Sequence, residues 1–177
     1  MSLLKITRLG HPNIRQGAEP VSSEELRSRE IQRLIDDMVE TMRDAHGVGI
    51  AAPQVHVSKQ IIVIEVLPDN PRYPSQPAVP LTVLLNPAIT DHAETMEEGW
   101  EGCLSVPDLR GLVPRWTRVN VTGLDREGQS VQLDAEGFFA RVIQHEVDHL
   151  QGRVFLDRLP NLSTLTHLRE YEQFWKS

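Results

Sequence analysis

Apolar residues recur at three- and four-residue intervals at Ile31, Leu34, Ile35, Met38, Val39 and Met42. That spacing draws one stripe along a helix and turns the intervening charges to water. The pattern predicts a helix of roughly 20 residues. It starts at Ser22 and Ser23, with Glu24 and Glu25 in the first turn, and Gly47 is its natural stop. Gly47-Val48-Gly49-Ile50-Ala51-Ala52-Pro53-Gln54 is too glycine-rich for a helix interior. From Ile61 to Leu67 the chain is apolar and β-branched, the signature of a buried strand.

Leu81 to Ile89, Arg118 to Leu124 and Ser130 to Ala135 predict further strands, with Asp125-Arg126-Glu127-Gly128 as the turn between the last two. Pro68, Pro71, Pro74, Pro77 and Pro80 fall at every third position. In polyproline II these would share one face, and a stiff surface loop is expected there. A second helix is expected from Gly137 to Gly152. A third is expected from about Leu162, carrying Leu165, Leu168, Tyr171 and Phe174 on one side. Strands in the middle with flanking helices predict an α+β domain built on an antiparallel sheet.

Composition narrows the function classes. At 177 residues the chain suits one domain. A formal net charge of −7 argues against broad nucleic-acid binding, which needs a basic surface. No apolar run approaches the ~20 residues of a membrane span, and Met1-Ser2-Leu3-Leu4-Lys5 does not open a signal peptide. A soluble protein of the bacterial cytoplasm is expected. The lone cysteine, Cys103, rules out an internal disulfide.

The chemistry concentrates in His145-Glu146-Val147-Asp148-His149. Histidines four apart on a helix share a face, with Cβ atoms roughly 6 Å apart, so both imidazoles can reach one metal ion. Glu146 then sits beside the metal without having to bind it, placed as a general base for a water the metal acidifies. A solvated helix face would carry the same residue types. Here, however, Phe138, Val142, Ile143, Val147 and Leu150 surround the histidines. Imidazoles buried without a partner are costly, and a metal removes that cost.

A catalytic metal needs a third protein ligand. Downstream candidates are Asp157, His167, Glu170 and Glu172, none in a recognisable protease motif. Upstream, Cys103 stands in Glu101-Gly102-Cys103-Leu104-Ser105, where Gly102 permits close backbone approach. From the residues alone, Cys103 reads equally as a ligand or a buried structural thiol. A zinc endopeptidase and a structural metal module without turnover stand as alternatives to an amide hydrolase. The endopeptidase requires a ligand after His149, and the module requires four filled positions and no use for Glu146.

Three segments together resemble the peptide deformylases. That family carries Gly-x-Gly-x-Ala-Ala-x-Gln, Glu-Gly-Cys-x-Ser and His-Glu-x-x-His in this order. They match Gly47 to Gln54, Glu101 to Ser105 and His145 to His149 at every fixed position. The resemblance extends from about Ile6 to Leu159. It implies one catalytic domain over residues 1–177, with small antiparallel sheets around a central metal-binding helix and a helix at each end. It implies Cys103, His145 and His149 as metal ligands, and iron(II) as the metal, replaceable by zinc, nickel or cobalt. The implied reaction removes the formyl group from N-formylmethionyl nascent peptides, with transient ribosome contact.

The resemblance also makes Glu146 the general base and acid. The backbone N–H of Leu104 and the side-chain amide of Gln54 become the oxyanion hole. Val48 and Gly49 resemble an edge that pairs with the substrate backbone. With Gly102, Phe138 and Val142 they form the implied substrate-binding set, and Val48, Phe138 and Val142 line the methionine pocket. Arg141 departs from the apolar residue many members carry one turn before His145, and is expected to narrow or polarise the pocket mouth. Asp148 is expected to pair with Arg115 in support of the ligands, and Arg110 with Glu101.

Overall fold

The computed structural model describes residues 2–68, 70–73 and 75–176. Helix α1 is one turn, Ser23–Leu26, and α2 runs Arg29–Asp44. The single long helix expected here is therefore two. Ser22 and Glu25 form a reciprocal capping box on α1. Ser28 then caps a second start by accepting the Ile31 N–H, so serines satisfy the free amides of both helices. The stop also differs in detail. His46, not Gly47, takes the left-handed conformation at φ 50°. Gly47 is needed for space, because a Cβ there would lie 3.1 Å from Leu104 Cδ1.

Strands β1 (Gly49–Ala51), β2 (Ile61–Val66) and β3 (Val79–His92) precede β4 (Met96–Cys103) and β5 (Val106–Trp116). Then come β6 (Arg118–Leu124) and β7 (Ser130–Glu136). An antiparallel five-stranded sheet has the order β1-β2-β3-β6-β7. All six residues of β2 are buried, and their alternation explains why. Ile62, Ile64 and Val66 join the core beneath helix α3 (Gly137–Leu150), whereas Ile61 and Val63 face α2 and its Ile35, Met38 and Met42. Both faces of this strand are covered, so it reads as a continuous apolar run.

β4 and β5 form a hairpin that joins β8 (Thr166–His167) in a second, three-stranded sheet. The sequence pattern did not predict this hairpin. Glu97, Glu98, Gly99 and Gly102 in β4, and Pro107, Gly111 and Pro114 in β5, are weak strand formers. Register pairing from Met96↔Trp116 to Cys103↔Val106 overrides their propensity.

The C-terminal expectation also changes. In place of one helix from Leu162, a 3-10 turn spans Leu162–Thr164, β8 pairs with β5, and only then does α4 (Leu168–Phe174) begin. The Thr164 hydroxyl accepts the Leu112 N–H and turns the chain onto the strand edge. In the proline-rich stretch, the N–H groups of Asn70, Tyr73 and Gln76 close successive turns onto Leu67, Asn70 and Tyr73. Polyproline II makes no such bonds. Pro68, Pro71, Pro77 and Pro80 are exposed, and Pro74 lies outside the described residues. No helix of the described residues is long and apolar enough to cross a membrane.

Candidate metal centre and active site

Helix α3 runs through the middle of the molecule, buried continuously from Val142 to Leu150. It carries His145 and His149 on one face, with their rings 5.1 Å apart. Cys103 ends β4 opposite them, and its Sγ lies 3.2 Å from His149 Nε2. The donor atoms of Cys103, His145 and His149 all fall within 4.8 Å of one another, the one such group among the described residues. The downstream candidates stand elsewhere. Asp157 pairs with Arg15 and caps the Val154 N–H, and His167, Glu170 and Glu172 belong to the C-terminal strand and helix.

Charge around the three donors is arranged to hold their positions. Nδ1 of His145 lies 2.9 Å from Glu101 Oε2. Burial would lift Glu101, but His145 and the Arg115 guanidinium outweigh it and hold the carboxyl well below its usual range. Arg115 bonds both Glu101 oxygens at 2.8 and 3.0 Å and reaches Asp148 at 2.6 Å. Asp148 also takes two bonds from Arg158. The expected pairing of Asp148 with Arg115 is present. The expected pairing of Arg110 with Glu101 is not, because Arg115 and Arg141 already occupy that carboxylate. Arg110 instead lies against Gly102, where any Cβ would collide with its guanidinium, and donates to the Leu109 carbonyl.

Burial pushes the Cys103 thiol up, but the charges of His149 and His145 overcome that and set it well below its usual range. A sulfur that gives up its proton this readily is in the form that binds metals. Nδ1 of His149 and Oε2 of Glu146 are buried without hydrogen-bond partners among the described residues. Two imidazoles and one thiolate, with an unsatisfied carboxylate oxygen beside them, fit a metal site with one position left open.

Glu146 is pushed up to about 7, chiefly by burial, against the opposing influence of His145 and His149. Gly49 makes its position possible, since a Cβ on Gly49 would stand 2.8 Å from Glu146 Cδ. The side-chain oxygen of Gln54 accepts the Ala51 N–H at 2.8 Å. Its amide nitrogen therefore points inward, 3.2 Å from Ser105 Oγ and 3.5 Å from Cys103 Sγ. Leu104 occupies the turn between β4 and β5 and lines the same cavity. Val48, Gly49, Gly102, Phe138 and Val142 all line it too. β1 is the outermost strand of its sheet, so one of its edges faces away from β2.

Arg141 lines the cavity, but its charge is committed elsewhere. The guanidinium donates to the carbonyls of Glu97, Gly99 and Val113 and to the Glu101 carboxylate. It ties α3 to the β4–β5 hairpin and is not a free cation at the cavity mouth. Trp100 and Tyr73 also line the cavity, and sequence reasoning missed both. Trp100 sits on the unforeseen hairpin, and Tyr73 among prolines whose turns conceal that its ring packs on Phe138 at 4.9 Å.

The buried helix, the convergent donors and the adjacent carboxylate define a metal-dependent hydrolase. Residues 3–164 match the family model described as polypeptide deformylase, and the chain belongs to that family. It is 49% identical over 158 residues to a peptide deformylase of Bordetella pertussis, covering 89% of this chain and 88% of that one. It is 46% identical to one from Nostoc, covering 97% and 94%. A Met-Ala-Ser-bound crystal structure of a class I type b peptide deformylase from Acinetobacter baumannii is 44% identical. It superposes with a TM-score of 0.86, covering 89% of this chain and 99% of that one.

Proposed function

We propose that this chain removes the N-terminal formyl group from formyl-methionine on newly made polypeptides, with Glu146 moving the protons. The observation that carries this reading is the buried, partnerless Glu146 oxygen beside the Cys103, His145 and His149 donors. Family membership and the Met-Ala-Ser complex of the Acinetobacter relative support the substrate.

Cys103, His145 and His149 would hold the metal; a thiolate with two imidazoles suits a divalent transition metal, and the likeness to the deformylase family favours iron(II), with zinc, nickel or cobalt as substitutes. When bound, the metal supplies Lewis acidity, which polarises the formyl oxygen and acidifies a water. Glu101 fixes the His145 ring through Nδ1 and leaves Nε2 for coordination. Glu146, poised near neutrality by burial, takes a proton from the attacking water and returns one to the departing amine. The water oxygen joins the formyl carbon, the carbon–nitrogen bond breaks, and formate leaves as the free amine forms. Negative charge on the formyl oxygen is met by the Gln54 amide, held by its bond to Ala51, and by the Leu104 N–H.

The outer edge of β1 at Gly49, with Val48 just before it, accepts the substrate backbone as an added strand. Val48, Gly102, Phe138 and Val142 receive the methionine side chain and its backbone. The bacterial organisms of the relatives support action in a bacterial cytoplasm, on chains emerging from the ribosome.

Iron-loaded protein should hydrolyse formyl-Met-Ala-Ser. Glu146→Ala should keep its metal and lose the activity, and Cys103→Ala should lose the metal. Full activity in either variant overturns the assignment.

A further inference from the structure

The family match ends at residue 164, and the chain beyond that point is built against the active site. β8 adds two residue pairs to β5, Leu109↔His167 and Arg110↔Thr166, just beyond the turn that holds Leu104. From this anchor α4 crosses to Trp100 on β4. The Trp100 ring lies 5.1 Å from Tyr171 and 5.6 Å from Trp175, at tilts of 56° and 50°. Such separations and tilts are those of aromatic contacts. Trp175 is nevertheless 57% exposed, so much of its ring surface faces solvent.

Tyr171 and Glu172 wall a cleft of about 370 Å³, within the size range of ligand sites. Trp100, Cys103, Leu104, Arg72 and Tyr73 line both this cleft and the catalytic cavity. The two spaces adjoin, with Cys103 among the residues that line both. An extended peptide advances about 3.3 Å per residue. With its formyl end at the metal donors, a chain longer than two residues has to leave the cavity. Arg72, Arg110 and Lys176 face Asp108 and Glu172 on the cleft wall, so charges of both signs are present there. Apolar ring faces remain as the discriminating surface.

We propose that Trp100 and Tyr171 on the cleft wall, extended by Trp175 packed on Trp100, form an aromatic shelf that binds the nascent chain beyond its second residue and favours an aromatic or aliphatic side chain there. The proposal rests on the deformylase reading and adds to it a substrate contact made by the C-terminal segment.

The test compares kcat/KM of the iron-loaded full chain on formyl-Met-Ala-Phe-Ala and on formyl-Met-Ala. Tyr171→Ala and Trp175→Ala should each lower the tetrapeptide-to-dipeptide ratio by about threefold to tenfold, as loss of an aromatic contact implies. The change should appear in KM, and Tyr171→Phe should restore the ratio. An unchanged ratio in both alanine variants overturns the shelf, and so does an equal loss on both peptides. Should Tyr171→Ala not fold, Trp175→Ala carries the test from its exposed position. If the unmodified protein cleaves neither peptide, the deformylase reading fails and takes the shelf with it. If it cleaves formyl-Met-Ala while the ratio stays fixed, the shelf alone falls.

Discussion

Nδ1 of His145 stands 2.9 Å from Oε2 of Glu101. An ionised carboxylate can only accept, so Nδ1 carries the proton and Nε2 keeps its lone pair for a metal. Loss of such a partner typically weakens metal binding by about 10–100-fold. Glu101→Gln, which keeps the shape and removes the charge, should show that loss in a chelator competition. Metal retention equal to the unmodified protein would count against this role for Glu101.

Glu146→Gln removes the base and leaves the donor set of Cys103, His145 and His149 in place. Activity on formyl-Met-Ala-Ser should fall by about 10²–10⁴-fold, the usual contribution of a positioned acid or base. Metal content, read by elemental analysis, should stay at one ion per chain. A variant that still turns over at a tenth of the original rate would remove Glu146 from the mechanism.

Gly49 is the tightest of the backbone approaches to the base. An alanine Cβ there would lie within 2.9 Å of both Cγ and Cδ of Glu146, so the carboxylate has to move. Displacements on the order of 1 Å cost about 10²-fold in rate. Gly49→Ala should therefore lose most of its kcat with little change in Tm. A large drop in Tm with proportionate loss of activity would mean that the glycine serves folding alone.

Arg115 and Arg158 both reach Asp148, but from different surroundings. The Arg115 side chain is 4% exposed and that of Arg158 39%. Arg115→Met strands the buried charges of Glu101 and Asp148 and should cost about 3–5 kcal/mol. Arg158→Ala breaks a partly solvated pair and should cost about 1 kcal/mol or less. Urea midpoints for the two variants measure the difference, and similar costs would show that the buried network is not what stabilises the centre.

Much of this architecture was legible from periodicity. The α2 stripe, β2, β6, β7 and α3 follow from spacings of three to four or of two, because burial on one or two faces dictates those spacings. The β4–β5 hairpin was not legible, and it supplies Cys103, Glu101, Trp100 and Arg115. Its glycines answer to long-range partners, Gly99 to Arg141 and Gly111 to Leu159, and a local pattern carries no trace of a partner distant in the chain. The same limit misassigned Arg110 to Glu101. Asp148 with Arg115 was anticipated from the ligand helix, whereas the second arginine on that carboxylate, Arg158, lay beyond any motif. At the C-terminus, apolar positions at helical spacing concealed a strand because the deciding factor was an available edge on β5.

The C-terminal segment is held by two residue pairs of β8 and by Tyr171 and Trp175 against Trp100, apart from the buried helix that carries His145 and His149. Selection can therefore act on the two pieces of chain separately. Lineages are free to rewrite residues after 164, and so retune which nascent proteins are processed fastest, without disturbing the chemistry they inherit. Diversity among relatives should accumulate at this end of the chain while the centre changes little.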